Sequence, residues 1–378
     1  MKTKTFIISA IFLMMNIMII AQHSEPIVKT FSTVNATNLQ VSISPGNITL
    51  STWNKNEIRI EVISKSEYEV KHLVSKKTNS KIKFDLELEC CSKNNITVNI
   101  KAPSKFRFDL QTTGGNINIT NNISGKLVAE TEGGNVNFYN VKGNVDVITH
   151  GGNIKGGNIE GKINFLSHGG NIDLENVKNG EANIVTHGGN INVGSVSSNL
   201  SAVTHGGHIN ISDVGGNAKA VSYGGHINME KVSGSAIMET NGGHLNLRSA
   251  SGNVVAKTLG GHINLQNITG NIIASTHGGN IYAELSPGKN TQSSLETSSG
   301  NIELKIPPSA EASINVSVEN AHRHEDGNKY IKSAFPSSRF NIDEDDGDIN
   351  ATYILNGGGS KISLNCSNGK VTIWKWNR

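Results

Sequence analysis

A Gly-Gly dipeptide recurs through the middle of this chain at a nearly constant interval, and a fixed period of that length means a repeat architecture. The second glycine of each pair stands at 115, 134, 152, 170, 189, 207, 225, 243, 261 and 279, so the intervals are 18 residues with two of 19. A weaker signal halves each unit, at Gly143, Gly161, Gly180, Gly216, Gly234, Gly252 and Gly270. Each unit is therefore read as one coil of two short strands and two turns.

Aligned coil on coil, the units resolve into columns. After each Gly pair the residues alternate polar and apolar, as in Asn190-Ile191-Asn192-Val193, which predicts a strand with one buried face. The inward columns are Ile117, Val136, Ile154, Ile172, Ile191, Ile209, Ile227, Leu245, Ile263 and Ile281, and two positions on Ile119, Phe138, Leu174, Val193, Ile211, Met229, Leu247 and Leu265. A further apolar column, Val141 to Ile268, follows, and the second strand contributes a smaller inward set ending in a Thr or Ser in each unit, Thr131 to Thr276. No coil of 18 residues buries such a face alone, but stacking brings identical columns into register. The expected fold is all-β, a β-solenoid of about 18-residue coils with irregular capping coils at both ends. At a strand spacing of about 4.8 Å, the array makes a rod roughly 45 Å long. The glycines are expected to supply positive φ at tight corners. Asn116, Asn135, Asn153, Asn171 and Asn190, and a second set, Asn121, Asn140, Asn158 and Asn176, are expected to form amide ladders between rungs.

The repeated GGN[IV]xL and TxGGxI pattern, with the closing GGGSKISLNCSNGKVTI of Gly357 to Ile373, resembles the bacterial putative-adhesin family of domains of unknown function. That resemblance implies a β-solenoid with GGxI rungs and a surface or envelope role. It implies no catalytic residue, cofactor or ligand.

Residues 1–21 read as a secretory signal peptide: Lys2 and Lys4, the apolar run Phe6 to Ile20, then Ala21. No Cys stands there for a lipid anchor, and no later apolar run is long enough for a membrane span. The chain is thus expected to be exported, to the periplasm or to the cell surface. Formal net charge is +3, and +1 once Lys2 and Lys4 leave, which argues against nucleic acid as a partner. Residues 22–113 alternate without the Gly pair and are read as an irregular N-terminal cap, 114–284 as the regular array, and 285–378 as irregular coils with a polar insertion. Trp374 and Trp376 are expected to plug the apolar end of the stack. Cys90, Cys91 and Cys366 allow one disulfide in an exported compartment, but pairing Cys366 with either of the others would require the rod's ends to meet.

Nine of the thirteen histidines sit at the Gly-pair corners. His150, His168, His187, His205 and, after a gap, His277 precede the pair, and His208, His226, His244 and His262 follow it. The second column is a weak candidate for a metal, since neither column brings the Cys or carboxylate that a four-ligand site needs. The alternative is that His replaces Asn as a stacking, hydrogen-bonding corner residue. Stacked imidazoles would have depressed pKa values. The nonapeptide calcium roll does not match, because its aspartate slot is Leu174, and Asp343 to Asp348 lacks the spacing and terminal Glu of an EF-hand loop. The array's acids, Asp146, Glu160, Asp173, Glu175, Asp213, Glu230 and Glu239, do not recur in a common outward column over adjacent coils, which argues against a hydrolase or lyase. No cofactor is expected.

One outward column departs from alternation. Where polar residues belong, five successive coils carry Ile148, Leu166, Val185, Val203 and Val221, bounded by Glu130 below and by Glu239 and Lys257 above. A stripe roughly 20 Å long of exposed apolar side chains marks an interaction site, unless a terminal segment folds over it. The expectation is a non-enzymatic adhesin-like module that binds a surface protein or glycan through this stripe, with His150, His168, His187 and His205 as its polar rim. A carbohydrate-active enzyme of the parallel β-helix type is the second reading, and a metal-binding envelope protein the third.

Overall fold

The structure, a computed structural model, describes residues 22–23, 26–65, 68–89, 96–319, 329–342 and 347–376, and the side chains of residues 22–23 are not included. The proposed leader, Cys90 and Cys91, and Asp343 to Asp346 lie outside them. The chain is all-β and forms a β-solenoid. Its strands fall into two long sheets of 19 strands each. Through the array, consecutive strands alternate between the sheets, as Ile191–Val196 and Leu200–Thr204 do, and each strand pairs in parallel with its equivalent one coil away. Register is direct: Ile191 faces Ile209 and Ile209 faces Ile227.

The inward columns form one continuous core. Ile154, Ile172, Ile191, Ile209 and Ile227 are fully buried, and the opposing strands fill the remaining width largely with Ala202, Ala218, Ala220, Ala236 and Ala256. β-Branched side chains suit this pleated, stacked surface. One coil breaks the column with Gly156, where a Cβ would press on the ring of Phe138. Phe138 uses the space to meet Phe165 edge to face, with ring centroids 5.8 Å apart.

Each corner is held by a buried hydroxyl. Thr204 Oγ1 donates to the carbonyl of Gly189 in the preceding coil at 2.8 Å and accepts the N–H of Gly207 at 3.2 Å. Equivalent pairs of bonds recur at Thr131, Thr149, Ser167, Thr186, Ser222, Thr240, Thr258 and Thr276. This satisfies backbone groups that water cannot reach. Cys366 occupies the same column opposite Thr297, and its thiol donates to Gly300 O at 3.0 Å. Burial pushes that thiol up to about 11, as expected of an inert structural cysteine.

The corner glycines serve a purpose other than the one expected. None of the second glycines from 115 to 279 has a positive φ; among the described residues the left-handed region is used at Gly143, Gly161 and a few loop positions instead. The second glycine is required because a Cβ there would overlap the carbonyl of the glycine directly beneath it, at Gly207 as at every other rung. The first glycine has room: at Gly206 the nearest atom to an added Cβ is 3.5 Å away. Close approach of stacked backbones, not turn geometry, excludes a side chain.

The Asn ladders exist with two corrections. In the first, each side-chain oxygen accepts the backbone N–H of the next rung, as Asn135 Oδ1 does from Asn153 N at 2.8 Å, with amide-to-amide bonding only a supplement. The second begins at Asn122, not Asn121: Asn140 donates to Asn122, Asn158 to Asn140 and Asn176 to Asn158. The turn before Ile123 sets this register, since Ile123 pairs with Val141.

At both ends stacking order departs from chain order. Asn38–Ser44 lies between Lys81–Leu88 and Arg107–Thr112, parallel to both. The intervening chain makes an excursion that builds the outer rungs with antiparallel strands, Ile27–Ser32 on Glu57–Ser64 and Tyr68–Lys77 on Lys81–Leu88. The other end repeats the device: Ser360–Cys366 inserts between Gln292–Thr297 and Ala312–Val318, and Ile349–Leu355 followed by Arg339–Ile342 closes the sheet antiparallel. Trp374 therefore does not plug the stack. Its strand lies between Ile302–Ile306 and Ile331–Ser333, and the indole points outward, 46% exposed. No helix among the described residues is long and apolar enough to cross a membrane.

Candidate functional site

The second strand of each coil presents two outward columns. One carries the stripe, and the register places its members side by side: Glu130 beside Ile148, then Leu166, Val185, Val203, Val221 and Glu239. Ile148 is 37% exposed and the other four are half-buried.

The neighbouring column was not singled out by sequence reasoning. It is polar beside the stripe, with Asp146, Asn164, Asn183, Ser201 and Lys219, and turns apolar where the stripe stops, at Ile237, Val255 and Ile273. The exposed apolar band thus steps sideways and continues, with Ile237 and Ile273 both exposed. The same alternation that revealed the first column contained this signal. Beside the stripe, Asp146 accepts from Asn164 at 2.8 Å and pairs with Lys126 at 2.5 Å. Burial pushes the Asp146 carboxyl up, but those partners together hold it below the ordinary carboxylate value.

The stripe is bordered by the first histidine column. His150, His168, His187 and His205 stack with centroids 4.7 to 4.9 Å apart and planes within 4°. Tyr223 fills the next place, stacked on His205 at 4.9 Å. An aromatic reading of the column, rather than a histidine reading, would have found it.

The second column, His208, His226, His244 and His262, stacks equally closely. It also continues the Asn ladder. His208 N donates to Asn190 Oδ1, and the Nδ1 atoms of His208, His226, His244 and His262 accept the N–H of the next rung at 2.8 to 2.9 Å. An accepting Nδ1 leaves the ring proton on Nε2. Burial, and after it the charges of His226 and His262, lowers the pKa of His244. Among the described residues no three His, Cys, Asp or Glu side chains are grouped to hold a metal, and in this column one nitrogen of each ring is already engaged.

Glu160 pairs with Lys142 and Glu230 with Arg248, at 3.6 and 3.2 Å. Asp173, Glu175 and Glu230 line a groove of about 560 Å³ on the opposite sheet. Along it Asp173 accepts from Asn192, and Asn192, Asn210, Asn228 and Asn246 bond in series at 2.7 to 2.9 Å.

A family model described as Toastrack DUF4097 matches residues 163–352, half of the chain. None of the curated proteins matches it. Among solved structures, the chain is similar to a putative adhesin from Parabacteroides distasonis at 12% identity, over 74% of this chain and 97% of that one, with a TM-score of 0.31. It is similar to a putative cell adhesion protein from Clostridium sporogenes at 8% identity, over 93% and 98%, with a TM-score of 0.18. A putative adhesin from Bacteroides fragilis aligns at 13% identity over 94% and 99%, with a TM-score of 0.19. Alignments this distant say nothing of ligand or activity.

Proposed function

This chain belongs to the Toastrack DUF4097 family, and we propose its function from its own surface. It is an exported, stiff binding module of the bacterial surface or envelope, and it engages a protein or glycan through the outer face of one sheet. The observation that carries this is the stripe of Ile148, Leu166, Val185, Val203 and Val221, five apolar side chains in register on a solvent-facing column with charged residues at both limits. Contiguous exposed apolar surface is unfavourable in isolation and is retained where a partner covers it. His150, His168, His187 and His205 form its polar rim.

The module is read as non-enzymatic. General acid–base hydrolysis needs free carboxylates converging on one bond, whereas Glu230 is paired with Arg248 and Asp173 is tied into the Asn series.

Val185→Glu with Val203→Glu tests the reading. The two changes place charge in half-buried outward positions and leave the inward columns untouched. The doubly substituted chain is expected to keep its thermal midpoint and to lose binding to immobilised cell-surface proteins and glycans that retain the native chain. Equal retention of a folded variant overturns the stripe as the contact surface. Antibody labelling of intact against permeabilised producing cells separates cell surface from periplasm.

A further inference from the structure

We propose that the rod carries a second site, for one neutral pyranose residue of a glycan, where the first ring column ends. The rings stack from His150 to Tyr223 and then stop, because the next two coils place Asn241 and Leu259 in the column before His277 resumes it. Three coil steps, roughly 14 Å at the strand spacing, separate Tyr223 from His277. Between them lies a depression of about 370 Å³, also bordered by Glu239 and Lys257.

Its chemistry is specific. Tyr223 has His205 against one ring face and is nevertheless 53% exposed, which leaves its other face open toward the depression. Leu259, also 53% exposed, adds an apolar surface one rung beyond Asn241. Glu239 and Lys257 are adjacent rungs of one outward column, opposite in charge, and neither is committed to an ion pair among the described residues. The site therefore offers a flat aromatic face, an acceptor, a cationic donor and an amide within one concavity.

A pyranose has the complementary pattern. Its axial C–H groups form a flat apolar face that lies on an aromatic ring, while its equatorial hydroxyls donate to a carboxylate and accept from an ammonium or amide. An acyl chain would leave Glu239 and Lys257 desolvated and unpaired. The column carries no aromatic ring at Asn241, so the sugar ring lies against the open face of Tyr223 with the Asn241 amide beside it.

The site shares only Val221 with the stripe, so it stands if the stripe reading fails. The test is saturation-transfer NMR on the full chain with methyl β-D-galactopyranoside and methyl β-D-glucopyranoside. Transfer to at least one glycoside is expected, strongest at the ring protons of a single face. Tyr223→Ala is expected to weaken binding at least tenfold, as is Leu259→Arg, which fills the depression from an exposed position. Tyr139→Ala, which removes a 66% exposed tyrosine outside the site, is expected to bind normally. No transfer from either glycoside, transfer spread evenly over the ring, or equal binding by folded Tyr223→Ala or Leu259→Arg overturns the proposal. Phenol binding in place of either sugar overturns it as well.

Discussion

The regular array and the two ends are built from the same coil and closed in different ways. In the array, strand partners are 18 or 19 residues apart, and each rung repeats the bonds of the one below. At the ends, the chain leaves a coil, builds outer rungs and returns to it. The ladder bond from Asn116 N to Asn47 Oδ1 and the bond from Thr291 N to Ser360 Oγ each span 69 residues. Local closure makes the array propagate step by step, whereas each end must close a long loop before it gains a contact. At three of the four sheet edges among the described residues, the ends in turn convert a repeating parallel edge into antiparallel strands that turn back on the rod, while at the fourth Ile331–Ser333 pairs in parallel. An open parallel edge would pair with another copy, and an excursion that folds back ends the repetition that creates it.

The sharpest way to break the array is at its tightest contact. Gly207→Ala drives a Cβ into the Gly189 carbonyl and is expected to destabilise by about 3 kcal/mol, read as a lower urea midpoint. Gly206→Ala, one residue away, has space and an ordinary φ, so it is expected to be neutral or to stabilise by about 0.5 kcal/mol through the unfolded chain. Equal losses at the two positions would refute close backbone approach as the reason for the second glycine.

The corner hydroxyl distinguishes array from end. Thr204→Val strands a buried carbonyl and a buried N–H and is expected to lose about 2 kcal/mol. Cys366→Thr puts the array's residue into the end coil, exchanges a weak thiol donor for a hydroxyl, and is expected to stabilise by about 0.5 kcal/mol, read as a higher urea midpoint.

Acid produces the smallest effect, and one confined to the array. His244 titrates below its ordinary value of 6.5 in the fold, so its contribution is fully present above about pH 6.5 and is lost as pH falls toward the folded value. Protonation of Nδ1 also removes the acceptor for the next rung. His208, His226, His244 and His262 changed together to Asn keep an acceptor that cannot titrate, and the variant is expected to show a flatter midpoint between about pH 7 and pH 5. An unchanged acid slope in that variant would place the sensitivity elsewhere.

The division between what could be read in advance and what could not follows from the range of the interactions. The period, the inward columns, the Thr or Ser column and the outward stripe were determined by the sequence alone, because a parallel stack in register puts residue i over residue i+18 and every column becomes a list of residues at one spacing. Tyr223 belonged to the same column and was missed only because it is not a histidine. The tertiary structure decided the rest. The steric role of Gly207 appears only when one backbone lies on another, and Cys366 joins the Thr column only through pairing with a strand far away in sequence. The insertion of Ser360–Cys366 inside the stack, which leaves Trp374 on the lateral surface, has no local signal either. Alternation specifies which face of a strand is buried, but it says nothing about which distant strand lies alongside.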